Sequence, residues 1–232
     1  MMKFSISVKV QEVKWLKERK QLIETGRRMI QDRLAFGSLG NLSMRLPTRA
    51  RKAEAVLITP SGIEYEAMTP RDLIVLSLDG RVLEGSRRPS SETPMHLSLY
   101  KQLPWIRAIV HTHSLCATAL SVARQPIPPI HYLIQLLGGS TVPVADYATF
   151  GTQELAANVA KALGDGGSAA LMANHGAVTV GKSLEEAYAR ARVLEYLAEV
   201  YIKARLIGTP ALLGQAQLEE VQRQFELFGQ KG

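Results

Sequence analysis

The chain has one cysteine, Cys116, in 232 residues, so no intrachain disulfide can form and no thiolate cluster can hold a metal. Any metal site must be built from imidazole and carboxylate. Long apolar runs are also missing: proline, glycine or charge interrupts each one well short of a membrane span, and the start Met1-Met2-Lys3-Phe4-Ser5 leads into no apolar signal core. These two absences predict a cytoplasmic protein with no membrane partner. No internal repeat, low-complexity segment or linker interrupts the chain, and its most glycine-rich run, Gly164-Asp165-Gly166-Gly167, reads as a helix-to-strand turn. With 46% hydrophobic residues, the expectation is one α/β domain over 1–232 with a sizeable core.

Positive charge is in excess, with a net charge of +7 and a pI near 9.6. The basic residues lean towards the beginning, from Lys14, Lys17, Arg19 and Lys20 to Arg49, Arg51 and Lys52. They are spread over a helix and a loop with no recognisable nucleic-acid module, so a solvated basic face is expected rather than a nucleic-acid surface. The same field would attract a small phosphorylated substrate.

Periodicity predicts a helix over 11–34, capped where Gly37 can turn left-handed, and a helical tail over 215–228. Strands are expected at 43–46, 55–59 and 73–77, with Asp79-Gly80 turning a hairpin, which together make an antiparallel meander. Thr93 is expected to cap a helix over 94–102, and Ser114 another over 115–123. Ser183 and Glu186 form a capping box for the long helix that ends near Ile207.

The stretch that bears chemistry is Ile109-Val110-His111-Thr112-His113. On a strand, His111 and His113 project from the same face, and the β-branched run before them favours a buried strand that delivers both imidazoles to an opening. Two imidazoles suit zinc, cobalt or a similar borderline cation, and a catalytic site needs a third protein ligand plus an open position. His96, His131 and His175 are the candidates. Asn174-His175-Gly176 is the best placed, at a kink between two apolar runs where Gly176 would let the backbone turn. Two further stretches suit an anion: Gly37-Ser38-Leu39-Gly40-Asn41, and the run Ser90-Ser91-Glu92 ahead of a helix start.

Six motifs in order, Gly40-Asn41-Leu42-Ser43, Thr59-Pro60-Ser61-Gly62, Ser90-Ser91-Glu92, His111-Thr112-His113, Tyr147 to Thr152, and Asn174-His175-Gly176, resemble the class II aldolase/adducin family from about residue 21 to 207. Within it, Ile130-His131-Tyr132 and the Tyr147 block are most similar to the L-fuculose-1-phosphate aldolases. The resemblance implies an αβα sandwich with a central, mainly antiparallel sheet, assembled as a homotetramer with sites between subunits. It implies one zinc ion per subunit on His111, His113 and His175, with Glu92 as the catalytic acid/base. Ser38, Asn41, Ser61, Gly62, Ser90 and Ser91 match phosphate-binding positions, Tyr132 matches a proton donor from a neighbouring subunit, and Phe150 matches the aldehyde pocket.

The implied reaction is reversible cleavage of a ketose 1-phosphate to dihydroxyacetone phosphate and L-lactaldehyde through a metal-stabilised enediolate. Alternatives within the family are a pentulose-5-phosphate 4-epimerase and a methylthioribulose-phosphate dehydratase, and the adducin branch is a non-catalytic scaffold. Epimerases have Asp at the place of Glu92, and adducins lack the three histidines. One departure stands out: Phe228 occupies the place of a tail tyrosine in the aldolases.

Overall fold

The computed structural model describes residues 13–47 and 54–228. Positions 11 and 12 of the expected first helix, the basic residues Arg49, Arg51 and Lys52, and positions 229–232 lie outside the described residues. Among the described residues eight strands form one sheet: β1 (Asn41–Leu46), β2 (Ala55–Ile58), β3 (Ile74–Ser77), β4 (Val82–Glu84), β5 (Ala108–Thr112), β6 (Val144–Ala145), β7 (Ala169–Met172) and β8 (Gly176–Gly181). Their order across the sheet is β4-β3-β2-β1-β5-β8-β7-β6. Every pairing is antiparallel except β6 with β7. Strands β1 to β4 form the expected antiparallel meander; a tight turn joins β3 to β4, with Gly80 at φ 88°, whereas β2 and β3 are joined by the longer segment 59–73.

Helices cover both faces, and the period-2 alternation of the strands decides what each face touches. Leu42, Leu57, Val75 and Val110 pack towards α1 (Leu16–Gln31) and the start of α5 (Leu184–Ile207). Val56, Ile109, Val178 and Val180 point the other way, against α2 (Thr93–Gln102) and α4 (Gln153–Leu163). A third cluster joins α3 (Leu115–Val122), a 3₁₀ helix (Tyr132–Leu137), the later part of α5, and Leu218 of α6 (Gln215–Phe228). No helix among the described residues is long and apolar enough to cross a membrane.

Several local expectations are corrected. The first helix ends at Gln31, and Arg33, at φ 59°, is the left-handed residue that follows it, rather than Gly37. Arg19 does not belong to a solvated face. It is buried, and its guanidinium donates to the Pro70 and Leu73 carbonyls at 2.8 Å each and pairs with Glu84 at 2.7 Å, tying α1 to the meander. Helix α2 begins at Thr93, so its N-cap position falls on Glu92, whose side chain makes no capping bond. Ser114 does not cap α3 with its side chain either. Glu195 reaches across from α5 and accepts from the Cys116 and Ala117 N–H groups at 2.7 and 2.9 Å. At the start of α5 half of the expected Ser183/Glu186 box forms: Glu186 N donates to Ser183 Oγ at 3.1 Å, but the Glu186 carboxylate accepts from Lys182 N rather than from Ser183 N.

Candidate active site

Strand alternation carries Ile109, His111 and His113 to the α2 side of the sheet, the face on which Ile109 packs. Register then supplies the neighbours, because Asn41 of β1 lies opposite His111, and Val178 of β8 lies opposite it on the other flank. The turn between β7 and β8 presents His175. Here Asn174, at φ 53°, takes the left-handed conformation that Gly176 was expected to take. Gly176 is required for another reason: a Cβ there would overlap the carbonyl oxygen of Thr112 in the adjacent strand.

The three rings converge. His111 Nε2 lies 3.0 Å from His113 Nε2, the ring centroids are 4.7, 4.9 and 5.1 Å apart, and one nitrogen from each ring lies within 4.8 Å of the others. Glu92 closes the group from the start of α2, with Oε2 at 2.8 Å from His111 Nε2 and Oε1 at 3.2 Å from His175 Nε2. Asn41 Nδ2 donates to Oε2 at 3.1 Å. Glu92 is 4% exposed, and its Oε1 is a buried oxygen with no hydrogen-bond partner.

Charge and burial oppose each other here. Burial pushes the Glu92 carboxyl up, but His111 and His175, with hydrogen bonds from His111 and Asn41, outweigh it and hold the group well below the usual carboxylate range. Burial pushes His111 down, but Glu92 and the Ala177 carbonyl raise it overall. Burial and the neighbouring rings lower His113 to about 3 and His175 to about 4. Two rings are therefore neutral nitrogen donors at neutral pH. The remaining proton therefore sits on His111, facing the ionised Glu92 carboxylate.

That donor set fits a divalent cation. His111 Nδ1 lies 2.9 Å from the Ala177 carbonyl oxygen, to which it can only donate, so Nε2 is the nitrogen that presents a lone pair to a metal once its proton leaves. Three imidazoles with no thiolate suit zinc-like ions, and the open side of the cluster leaves a position for substrate.

In front of the cluster lies a cavity of about 410 Å³. Its wall includes Ser38, Asn41, Ser61, Gly62, Ser90, Ser91, Glu92, His113, Phe150 and His175. Two loops meet because Ser61 N donates to the Arg88 carbonyl at 3.0 Å and Ser90 N to the Thr59 carbonyl at 3.1 Å. Ser90 Oγ also accepts from Glu92 N at 3.2 Å, which fixes the start of α2. Gly62 sits at φ 73° with open space beside it. Gly151 lets the Tyr147 to Phe150 loop close on Ser91, since a Cβ there would come within 2.9 Å of the Ser91 carbonyl oxygen. Among the described residues no lysine or arginine lines this cavity. An anion would be held by hydroxyl and N–H groups, with the net +7 charge acting only at long range.

Two expected site residues lie apart from the cavity wall. His111 is fully buried behind Glu92 and His113. Tyr132 begins the 3₁₀ helix, stacked on His131 at 4.5 Å between ring centroids, and it faces Phe225 of α6 rather than its own chain's cavity. Residues not singled out from sequence also line the wall: Leu39, Pro60, Tyr147, Ala148 and Asn174. Leu39, Pro60 and Asn174 each stand beside a residue that was given a role, and Tyr147 and Ala148 sit within the quoted Tyr147 to Thr152 block. His96, left open as a ligand, is fully buried and bonds Asn41 and Ser43 instead.

Residues 20–202 match the family described as Class II Aldolase and Adducin N-terminal domain. Over 215 residues the chain is 38% identical to a 5-deoxy-D-ribulose 1-phosphate aldolase of Bacillus thuringiensis serovar kurstaki, covering 93% of this chain and 98% of that protein. It is 36% identical over 211 residues to the L-fuculose phosphate aldolase of Escherichia coli strain K12, covering 90% and 94% respectively. The solved structure of an L-fuculose 1-phosphate aldolase matches with a TM-score of 0.83 at 38% identity, over 90% of this chain and 95% of that one. Fold, imidazole cluster and relatives together define a lyase of the aldolase type. More particularly, the chain belongs to the class II aldolase and adducin family, whose aldolases are metal-dependent.

Proposed function

We propose that the protein reversibly cleaves a ketose 1-phosphate between C3 and C4, giving dihydroxyacetone phosphate and a short aldehyde. For L-fuculose 1-phosphate the aldehyde is L-lactaldehyde. The observation that carries this reading is the unbonded Oε1 of Glu92, buried beside three imidazoles and facing a cavity rimmed by Ser61, Gly62, Ser90 and Ser91. A carboxylate so held can take and return a carbon-bound proton, while the loops hold the phosphate that fixes substrate register.

His111, His113 and His175 would hold one zinc ion, which supplies Lewis-acid stabilisation for the negative charge that develops on the ketone oxygen. Ser38, Asn41, Ser61, Gly62, Ser90 and Ser91 would bind phosphate by hydroxyl, amide and N–H donors. In synthesis the ionised Glu92 removes a proton from C3, and Tyr132 gives its hydroxyl proton to the oxygen that forms at C4. In cleavage the same two protons run back: Tyr132, as phenolate, takes the C4 hydroxyl proton, the electron pair of the C3–C4 bond stays with the C3 fragment, and Glu92, protonated from solvent, returns a proton to C3; exchange with solvent resets both groups.

Tyr132 is 47% exposed and Phe228 is 81% exposed, both on the surface that carries α6. A homotetramer in which this surface borders a neighbour's cavity would give Tyr132 its role. Phe228 brings no hydroxyl, so it would shape aldehyde preference rather than move a proton. The relatives are named for sugars that end in a methyl group, 5-deoxyribulose and fuculose. Tyr147, Phe150 and Leu39 offer such a terminus an apolar wall. The reaction belongs to the cytoplasm, where phosphorylated sugars are made.

The test is incubation of the zinc-loaded protein with L-fuculose 1-phosphate, 5-deoxyribulose 1-phosphate and a pentulose 5-phosphate, with product identification. Dihydroxyacetone phosphate from either 1-phosphate is expected. Interconversion of pentulose 5-phosphates without C–C cleavage would replace the proposal with the epimerase, water loss with the dehydratase, and no reaction with the scaffold.

A further inference from the structure

Behind Glu92 a chain of buried polar groups leads away from the cavity into the layer between sheet and α2. Asn41 Nδ2 lies 3.1 Å from Glu92 Oε2, Asn41 Oδ1 lies 2.6 Å from His96 Nε2, and His96 Nδ1 lies 2.6 Å from Ser43 Oγ. Ser43 Oγ lies 2.8 Å from Tyr100 Oη. His96 and Ser43 are 0% exposed, and Tyr100 is 1% exposed. None of these three touches the cavity, yet each has left water, and buried polar groups are kept where their hydrogen bonds are complete.

Chemistry fixes the direction of every bond. A carboxylate can only accept, so Asn41 must turn its NH₂ to Glu92 and its carbonyl to His96. A carbonyl can only accept as well, which requires the proton of neutral His96 on Nε2. His96 Nδ1 is then a lone pair, so the Ser43 hydroxyl donates to it and in turn accepts from Tyr100. Arg45 anchors the far end, with its guanidinium 4.9 Å from the Tyr100 ring centre and Nη2 donating to the Tyr100 carbonyl. Reversing any one bond would put two acceptors face to face.

We propose that this Tyr100–Ser43–His96–Asn41 series is a one-directional positioning relay that locks the Glu92 carboxylate through Oε2, leaving Oε1 free for proton transfer. His96 is thereby a positioning residue that never meets substrate or metal. The proposal deepens the reading of Glu92 as the base and rests on it. It also gives the Asn41 amide a second duty, because one of its two N–H groups is committed to Glu92.

The test compares wild type, His96→Leu and His96→Gln, all zinc-loaded, in two assays: exchange of a C3 proton of dihydroxyacetone phosphate in deuterated water, and its inhibition by inorganic phosphate. Gln can place an amide N–H where His96 Nε2–H stands, and Leu cannot. The expected result for Leu is exchange slowed roughly 10- to 100-fold, the usual effect of losing an orienting partner. The phosphate inhibition constant should stay the same, and Gln should recover most of the rate. Nitrogen-15 NMR of the wild-type imidazoles should show His96 as the Nε2–H tautomer.

Ser43→Ala, a smaller change, covers the case in which His96→Leu fails to fold, and should slow exchange several-fold while weakening the Nε2–H preference. An Nδ1–H tautomer in wild type, an undiminished rate in Leu, or equal losses in folded Leu and Gln would each overturn the relay. Absence of exchange in wild type would instead overturn the reaction on which it rests.

Discussion

Gly40 stands at the junction of the Ser38 loop and β1, and replacing it with Ala separates two effects that its position combines. It sits at φ 71°, and an added Cβ would lie 2.7 Å from the carbonyl oxygen of His111 and 3.0 Å from Met29 Cε. Gly37 is the control. It is also left-handed, at φ 58°, but a Cβ there meets nothing within 4 Å. Left-handed backbone alone costs a residue with a Cβ about 1–2 kcal/mol, so Gly37→Ala should lose about 1 kcal/mol, roughly 2–4 °C in Tm for a domain of this size. Gly40→Ala adds overpacking against a backbone atom that cannot rotate aside, typically about 1–3 kcal/mol more. Its Tm should fall about two to four times as far.

The displaced atom belongs to His111, one of the three converging imidazoles. A retreat of a few tenths of an ångström at His111 should also weaken metal affinity and slow turnover, by roughly 3- to 10-fold when a 1 Å misplacement costs about 100-fold. Differential scanning calorimetry and metal titration read both quantities. Equal Tm losses in the two variants, or unchanged metal affinity in a destabilised Gly40→Ala, would refute the coupling of this turn to the cluster.

Zinc titration followed by calorimetry in buffers of different ionisation enthalpy should show proton release approaching one per site and larger at pH 6 than at pH 8, since His111 is the ring whose proton affinity is raised. His175→Ala should lose most zinc affinity and, with it, the gain in Tm that saturating metal gives the wild type. Acid stability should carry the mark of His96, which burial holds down to about 3. Its folded pKa lies below its unfolded one, so stability falls as pH drops from about 6.5 towards the folded value, by about 1 kcal/mol per pH unit, and His96→Gln should flatten that slope in urea titrations. Tyr132→Phe should leave zinc content unchanged and slow turnover. Light scattering that reports a fully active monomer would remove Tyr132 from the reaction.

The sheet was legible where short β-branched runs end in turn residues, as at Ala55 to Ile58 and Ile74 to Ser77. The His111/His113 spacing announced a shared face for the same reason: side chains on a strand alternate. What brings Ser61 beside Ser90, or Asn41 opposite His111, is long-range pairing that no local pattern encodes. Helix ends were less legible, because partners distant in sequence replaced the local cap. Ser114 is a good cap by residue type, yet Glu195, 79 positions from Cys116, takes the work. Glu92 likewise stands at a cap position while its side chain serves the imidazoles. Arg19 read as surface charge because burial of a guanidinium depends on carbonyls supplied by residues 51 and 54 positions away.

Glu92→Gln tests the central claim most directly, since it keeps the shape of the side chain and removes its charge. The measurement is C3 proton exchange of dihydroxyacetone phosphate in deuterated water, followed by NMR with no aldehyde present, so specificity for the second product does not enter. With zinc content and Tm near those of the wild type, exchange is expected to slow by roughly 10²–10⁴-fold, the usual size of a general-base contribution. Wild-type exchange in a zinc-loaded, folded Glu92→Gln protein would contradict the account, because some other group would then be the base.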